Sequence, residues 1–197
     1  PTEQKTYKAL HQPSTITKNG FTTTFERTAR GQPSLISYPD GSTEQYIYNT
    51  NGTLAKKIDR HGVEIAYEYD FLRRVTKTTV NGSKITTHTY SAFHETASTD
   101  PMGKTTTFLY DGAGRLCEKN DAGQKTTYSY DELGRKNSSK EYLEDGSFTQ
   151  TFLNFDLFDR LIEEKTEHSD GTLLSHKKYA YDLLDNPIEV TTFTTPD

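Results

Sequence analysis

Residues 108–116 read FLYDGAGRL, and residues 128–135 read YSYDELGR. Between them lie a short polar stretch, an Asp-Ala-Gly sequence at 121–123 and a threonine-rich stretch. Tyr110 and Tyr130 hold the same place in the pattern, so the unit repeats after 20 residues. A repeat of this length is typical of proteins built by stacking copies of one supersecondary unit.

The local chemistry of this unit predicts a β-hairpin. Residues 126–130 are β-branched, aromatic and alternating, which is typical of a strand with Tyr128 and Tyr130 on one face. Asp131 follows at a turn, where its carboxylate can accept hydrogen bonds from the next backbone N–H groups, and Gly134 can take positive φ without steric cost. The Asp/Gly turn at 121–123 joins this hairpin to the previous one. We therefore predict an all-β meander of antiparallel hairpins, about 14 to 16 strands at two per repeat, forming a curved, strip-like sheet.

The same unit recurs along the chain with substitutions. The weakest copies lie near Phe25, where Phe25, Glu26 and Arg30 are assigned to the tyrosine, aspartate and arginine positions, and near Tyr90, where Ser91 replaces aspartate. Tyr7 is assigned to a truncated first unit. Clear copies centre on Tyr48, Tyr69, Tyr110, Tyr130, Phe155 and Tyr181, with Arg73 and Asp185 at the glycine position of two of them.

The length of the units predicts where strands are longest. The last two units are five or six residues longer than the others, so we expect longer strands there. The chain ends at Asp197, about where another Asp/Gly turn is expected. We therefore expect residues 1–197 to be one repeat segment without separate domains, cut from a longer array.

Composition and net charge argue against several structural classes and binding partners. The 197 residues carry 31% hydrophobic side chains, yet include 13 Tyr and 10 Phe, which suits sheet surface better than a thick core or a disordered segment. The net charge of −5, without a basic cluster, argues against nucleic acid and anionic membranes as partners. No apolar run has the length of a membrane span. A single cysteine, Cys117, forbids an internal disulfide, and we expect it to be a small buried thiol.

The coupled positions resemble the YD repeat of the Rhs (rearrangement hotspot) proteins. The resemblance covers nearly the whole chain and is carried by Tyr110, Asp111, Gly114, Arg115, Leu116, Asp121, Gly123, Tyr128, Tyr130, Asp131, Gly134 and Arg135. It implies a long β-strip that spirals into a hollow shell, as in bacterial polymorphic toxins and insecticidal toxin complexes, or a similar shell used for adhesion in teneurins. The family's conserved core segment, which is associated with self-cleavage, and its variable toxin domain have no counterpart here.

The resemblance implies a non-enzymatic structural wall segment of an Rhs-type encapsulating shell, from a bacterial secreted or cell-surface, toxin-related protein. The partners it implies are the remaining repeats and the enclosed C-terminal region of the parent protein. Unpaired edges also predict self-association of the isolated chain. The alternative is an extracellular module that binds carbohydrate or protein in adhesion.

We identify no catalytic, cofactor-binding or metal-binding residues, and we expect no cofactor. The paired aromatics are interpreted as cross-strand ladders, with a sugar-stacking stripe as the alternative. Aspartates beside glycine are interpreted as turn residues, since no run matches a calcium-binding loop. No metal-ligand spacing is found among the six histidines, which are His11, His61, His88, His94, His168 and His176.

Overall fold

The computed structural model describes residues 3–7 and 12–193, so His11 and the turn expected near Asp197 lie outside the described residues. Within the described residues there are eighteen strands and no helix. The strands are β1 (Glu3–Tyr7), β2 (Pro13–Lys18), β3 (Phe21–Arg27), β4 (Pro33–Ser37), β5 (Thr43–Tyr48), β6 (Leu54–Ile58), β7 (Glu64–Tyr69), β8 (Val75–Val80), β9 (Lys84–Tyr90), β10 (Glu95–Thr99), β11 (Thr105–Tyr110), β12 (Leu116–Asp121), β13 (Gln124–Tyr130), β14 (Lys136–Tyr142), β15 (Phe148–Phe155), β16 (Leu161–His168), β17 (Leu173–Tyr181) and β18 (Pro187–Phe193).

The prediction of an all-β meander is confirmed, with more strands than expected. The count exceeds 14 to 16 because the chain before Asn19 forms a further hairpin, in which β1 pairs with β2. The longest strands are β15, β16 and β17, with 8, 8 and 9 residues. This confirms that the longer late repeats lengthen their strands.

The chain forms two compact units. The first runs to Thr89 and includes Thr99–Gly103, and in it each strand from β1 to β9 pairs antiparallel with the next along the chain. The second comprises Tyr90–Ser98 and the chain from Lys104 onward, and in it β11 to β18 pair successively in the same way. Each unit is thus a meander.

Neither unit has a buried hydrophobic core among its described residues. Strand side chains are mostly half-buried on both faces, as expected of a single layer of sheet. Because no hydrophobic core is buried among the described residues, we expect the contacts between neighbouring hairpins to contribute much of the stability of the fold. No helix in the described part of the chain could span a membrane.

Two kinds of turn connect the strands. One follows the Tyr-Asp sequence of each repeat, and we call it the YD turn. The other, the Asp/Asn-Gly turn, has a glycine one to three residues after an aspartate or asparagine; at Asn19-Gly20 both residues have positive φ (53° and 83°), as a two-residue hairpin turn requires. Because the strands alternate in direction, YD turns lie at one edge of each meander and Asp/Asn-Gly turns at the other.

Candidate functional site

The YD turn is a self-contained network around its aspartate. In residues 130–136, Asp131 Oδ1 accepts hydrogen bonds from the backbone N–H groups of Leu133 (3.0 Å) and Arg135 (2.9 Å). Asp131 Oδ2 accepts one from Arg135 Nε at 2.7 Å. The backbone closes the loop, since Asp131 N donates to Arg135 O and Gly134 N donates to Asp131 O. The expected capping role of this aspartate is confirmed.

The backbone conformation of the YD turn explains why glycine occupies its fourth position. Gly114 and Gly134 have φ of 79° and 84°, a left-handed conformation that other residues adopt only with strain. The prediction of positive φ at both glycines is therefore confirmed.

The network lowers the pKa of the turn aspartates. Hydrogen bonds from the Arg115 backbone N–H, and then from its side chain, lower the pKa of Asp111. At Asp131, partial burial alone would raise the pKa, but hydrogen bonds from the Arg135 side chain and backbone outweigh it and lower the pKa. Both carboxylates are thus held in the ionised form by their own turn.

The tyrosine and arginine connect one repeat to the next. The Tyr130 hydroxyl donates to the carbonyl oxygen of Leu116, in the preceding repeat, at 2.8 Å. The Arg115 guanidinium lies over the Tyr130 ring, 4.6 Å from its centre, within cation–π range. We call this pair of contacts the clasp. It joins two hairpins through side chains, in addition to the backbone ladder between their strands.

Both contacts of the clasp recur at Tyr181, and one of the two is present at Tyr69 and at Phe155. The hydroxyls of Tyr69 and Tyr181 donate to the carbonyl oxygens of Leu54 and Leu161, each at 2.8 Å. The guanidinium groups of Arg135 and Arg160 lie 5.0 and 5.1 Å from the ring centres of Phe155 and Tyr181. Each tyrosine position is also preceded by a shift in strand register, as between Ser129 and Tyr130.

The aspartates found at the glycine position extend the clasp. Asp159 and Asp185 have φ of 63° and 64°, and their carboxylates accept hydrogen bonds from Nη1 of Arg135 (2.7 Å) and Arg160 (2.9 Å). Each carboxylate thus pairs with the arginine of the preceding repeat. Arg73 has the same conformation, with φ of 64°, but the preceding repeat has Thr53 at its arginine position.

The assignment made for the weak copy near Phe25 was wrong. Thr28 N donates to Gln32 O and Gly31 N donates to Thr28 O, so Thr28 holds the aspartate position and Gln32 the arginine position. Arg27, not Phe25, holds the tyrosine position, and its Nη2 donates to Pro13 O at 3.5 Å. Glu26 and Arg30 were therefore assigned to the wrong positions. The period was the available signal, since Arg27 lies 21 residues before Tyr48, the same spacing as Tyr48 to Tyr69.

Arginine is an imperfect substitute at this position. Arg27 Nε is buried and has no hydrogen-bond partner among the described residues, although Nη1 donates to Gly31 O at 3.1 Å. At Tyr69, Tyr130 and Tyr181 no such buried polar group is left, because the single hydroxyl donates to a carbonyl oxygen.

The copy at Tyr90 is shorter by one residue in its turn. Ser91 N donates to His94 O, a span of three residues, whereas Asp111 N donates to Arg115 O across four. His94 consequently stands where the arginine would be, and its ring stacks on Tyr110 at 4.4 Å between centres and 22° between planes. A flat aromatic ring here replaces the flat guanidinium of the other clasps.

The paired aromatics do not face one another across strands. Tyr46 lies opposite Lys57, Tyr67 opposite Thr78, Tyr128 opposite Ser139 and Tyr179 opposite Val190. Equivalent tyrosines lie on alternate strands, as on β5 and β7, and the one strand between them places a polar or β-branched side chain between the rings. The prediction that the paired aromatics form cross-strand ladders is therefore wrong, because each of these aromatics lies opposite a non-aromatic residue.

The cysteine and the described histidines from the sequence analysis lie on the strands and turns of the sheet. Cys117 is partly exposed on β12, contrary to the expectation of a buried thiol, because a single layer of sheet leaves both faces accessible. Among the described residues, no group of three or more His, Cys, Asp or Glu side chains is placed to hold a metal ion. His176 Nε2 instead lies 2.7 Å from Glu163 Oε1, across β16 and β17.

Comparison with known proteins agrees with this geometry. Residues 90–123, which contain the Tyr90 and Tyr110 copies, match the family model described as RHS Repeat. Residues 90–123 thus resemble an Rhs (YD) repeat, and the units outside the match share the turn geometry described above. The match includes the copy that looked weakest from sequence, where His94 replaces the arginine. A comparison with curated proteins gives no match.

Solved structures share the fold of this chain. The crystal structures of TcdB2-TccC3-Cdc42 and TcdB2-TccC3 each match 98% of the chain at 16% identity and a TM-score of 0.54. TcdB2-TccC3 without its hypervariable C-terminal region matches 98% at 17% identity and a TM-score of 0.50. The chain spans only 12–13% of the length of these proteins.

Proposed function

We propose that this chain is a non-enzymatic structural wall segment of an Rhs-type encapsulating shell, in a bacterial secreted or cell-surface, toxin-related protein. The observation that carries the proposal is the clasp, as in Tyr130 to Leu116 and Arg115 to Tyr130. Because it joins each hairpin only to its neighbour, a sheet of this kind grows by adding repeats and needs no core. Repeat proteins stabilised by neighbour contacts are extended surfaces.

The proposed partners follow from that role. The remaining repeats of the parent protein would continue the meander, and an enclosed C-terminal region would lie on one face. The likeness of nearly the whole chain to about one eighth of TcdB2-TccC3 supports residues 1–197 as one segment of a longer array.

The clasp also bears on the alternative role in glycan binding. A sugar stacks on an exposed aromatic face, but the Arg115 guanidinium covers one face of Tyr130, and its hydroxyl is bonded to Leu116 O. These contacts leave the clasp tyrosines poorly suited to sugar stacking. They support the structural role over adhesion.

Electron cryo-microscopy of the intact parent protein, combined with external protease, tests the proposal. We expect residues 1–197 in the wall of a closed hollow body, with the region inside protected from the protease. A strip with both faces in solvent and a fully digested downstream region would contradict it. Saturable binding of the isolated chain to a defined glycan, abolished by Tyr128→Ala without loss of fold, would favour the adhesion role instead.

A further inference from the structure

The last three YD turns expose an apolar row. Between the aspartate and the glycine position, these turns place leucine or phenylalanine in five of six positions. The five side chains and their exposed fractions are Leu133 (76%), Leu157 (99%), Phe158 (77%), Leu183 (102%) and Leu184 (82%). Exposed apolar surface of this kind typically marks an interaction site.

The row is not a general property of the repeat. The clasp uses the flanking tyrosine and arginine, and three other turns carry no large apolar side chain in the corresponding pair, which is Ala29-Arg30, Thr50-Asn51 or Gly112-Ala113. Two more described turns carry exposed apolar side chains, namely Phe71 (90%) with Leu72 (50%) and Phe93 (87%), but the turns before and after this pair, at 50–51 and 112–113, carry none. Three consecutive apolar turns occur only in the second unit.

The three turns that carry the apolar row have a net negative charge. In the first turn Asp131 and Glu132 are balanced only by Arg135, and in the second Asp156 and Asp159 are balanced only by Arg160. In the third turn, Asp182 accepts a hydrogen bond from the neutral Asn186 and Asp185 pairs with Arg160 of the turn before, so this turn has no cation of its own. The turns therefore carry net charges of one, one and two negative units. A second copy of the same edge would bring like charge, whereas a basic partner is complementary.

The spacing of the row favours a helix. Equivalent YD turns are separated by two strands, hence by about 10 Å, so Leu133, Phe158 and Leu184 form a line with that interval. An α-helix returns to the same face about every seven residues, a rise of about 10.5 Å. An extended peptide places same-face side chains about 7 or 14 Å apart, which does not match.

We propose that residues 133, 157–158 and 183–184 form a docking site for a basic amphipathic helix with leucine-like residues on one face. The apolar row would bury that face, and the net negative charge of the three turns would attract its lysines or arginines. Helix-in-groove recognition of this kind uses apolar anchors at helical spacing with charges at the rim. The proposal depends on these turns alone and is independent of the shell function.

Fluorescence anisotropy of labelled peptides with the whole chain tests it. The probe is a helical leucine/lysine peptide of about three heptads, and the control replaces every lysine with glutamate. We expect saturable, salt-sensitive binding of the lysine peptide and none of the glutamate peptide. The double variant Leu157→Ser/Leu183→Ser should lose at least about tenfold in affinity, since both side chains are fully exposed and the fold does not need them.

Two further variants sharpen the test. Phe71→Ser removes an equally exposed side chain from a YD turn outside the row, and it should bind as the parent chain does. Glu132→Gln removes charge but no apolar surface, and it should weaken binding and reduce its salt dependence. Absence of binding, equal binding of both peptides, or unchanged affinity in the leucine variant would overturn the proposal. Sedimentation that shows a dimer lost in the leucine variant would do so as well, because it would assign the row to a second copy.

Discussion

The residue at the glycine position of a YD turn must satisfy two requirements. It must accept positive φ, and it lies next to the arginine of the preceding repeat. At Gly134, an added Cβ would lie 3.6 Å from Arg115 Nη1. Asp159 and Asp185 meet both requirements, since aspartate tolerates the left-handed region better than most residues and its carboxylate pairs with the neighbouring arginine.

This reasoning predicts different outcomes for two substitutions at one position. Gly134→Val should lower stability by about 1–2 kcal/mol, because a β-branched residue is strained at φ of 84°. Gly134→Asp should cost less, because the new carboxylate can pair with Arg115. Thermal melts of both proteins, beside Glu132→Val as a control in the same turn, measure the difference. Equal melting of the valine and aspartate variants would refute the role assigned to this position.

At the scale of the element, the hairpins are joined by side chains as well as by the backbone ladder. The tyrosine hydroxyl reaches a carbonyl of the preceding hairpin, where the register shift before the tyrosine interrupts regular pairing. The arginine caps the ring of the next hairpin. The YD turn is thus both a connection within a hairpin and a contact between hairpins.

Removing one hydroxyl measures this contact. Tyr130→Phe keeps the ring under Arg115 but leaves Leu116 O without its donor, and should cost about 0.5–1.5 kcal/mol. Tyr128→Phe is the matched control on the same strand, since the Tyr128 hydroxyl forms no hydrogen bond within the described residues, and its cost should be close to zero. Urea titrations compare the free energies of unfolding of the two variants, analysed with one common dependence of that free energy on urea concentration. A larger loss for Tyr128→Phe would contradict the clasp.

The elements were largely predictable from sequence, and the links between them were not. The alternation around Tyr128 and the turn residues Asp131 and Gly134 predicted hairpins, because these features act locally. The contact of Tyr130 with Leu116 joins residues 14 apart and depends on strand register, which no local pattern specifies. Likewise, His94 was recognisable as the arginine equivalent only after the shortened turn was seen.

At the scale of the whole molecule, stability without a core depends on many small contacts of one kind. The pKa of Asp70, Asp111, Asp131 and Asp156 is lowered in each case. An aspartate with a lowered folded-state pKa contributes stability that is fully present above its unfolded pKa, near 3.9, and is lost as the pH falls through its folded pKa.

We therefore expect a melting temperature that is nearly constant from about pH 5 to 8 and falls below about pH 4. Asp131→Asn should lower the plateau and make the acid decline shallower, since one titrating network is gone. Circular dichroism melts across this range give both curves. A melting temperature that rises on acidification, or an unchanged slope of the acid decline in Asp131→Asn, would be inconsistent with ionised aspartates that stabilise the YD turns.

The most direct test of the central claim, that clasps transmit stability from one repeat to the next, is amide hydrogen exchange in Arg135→Gln. Arg135 holds its own turn through Asp131 and the next turn through Asp156 O and Asp159. We predict faster exchange in residues 131–135 and 156–160, and unchanged exchange at 111–115. Faster exchange confined to 131–135, or spread evenly over the chain, would contradict it.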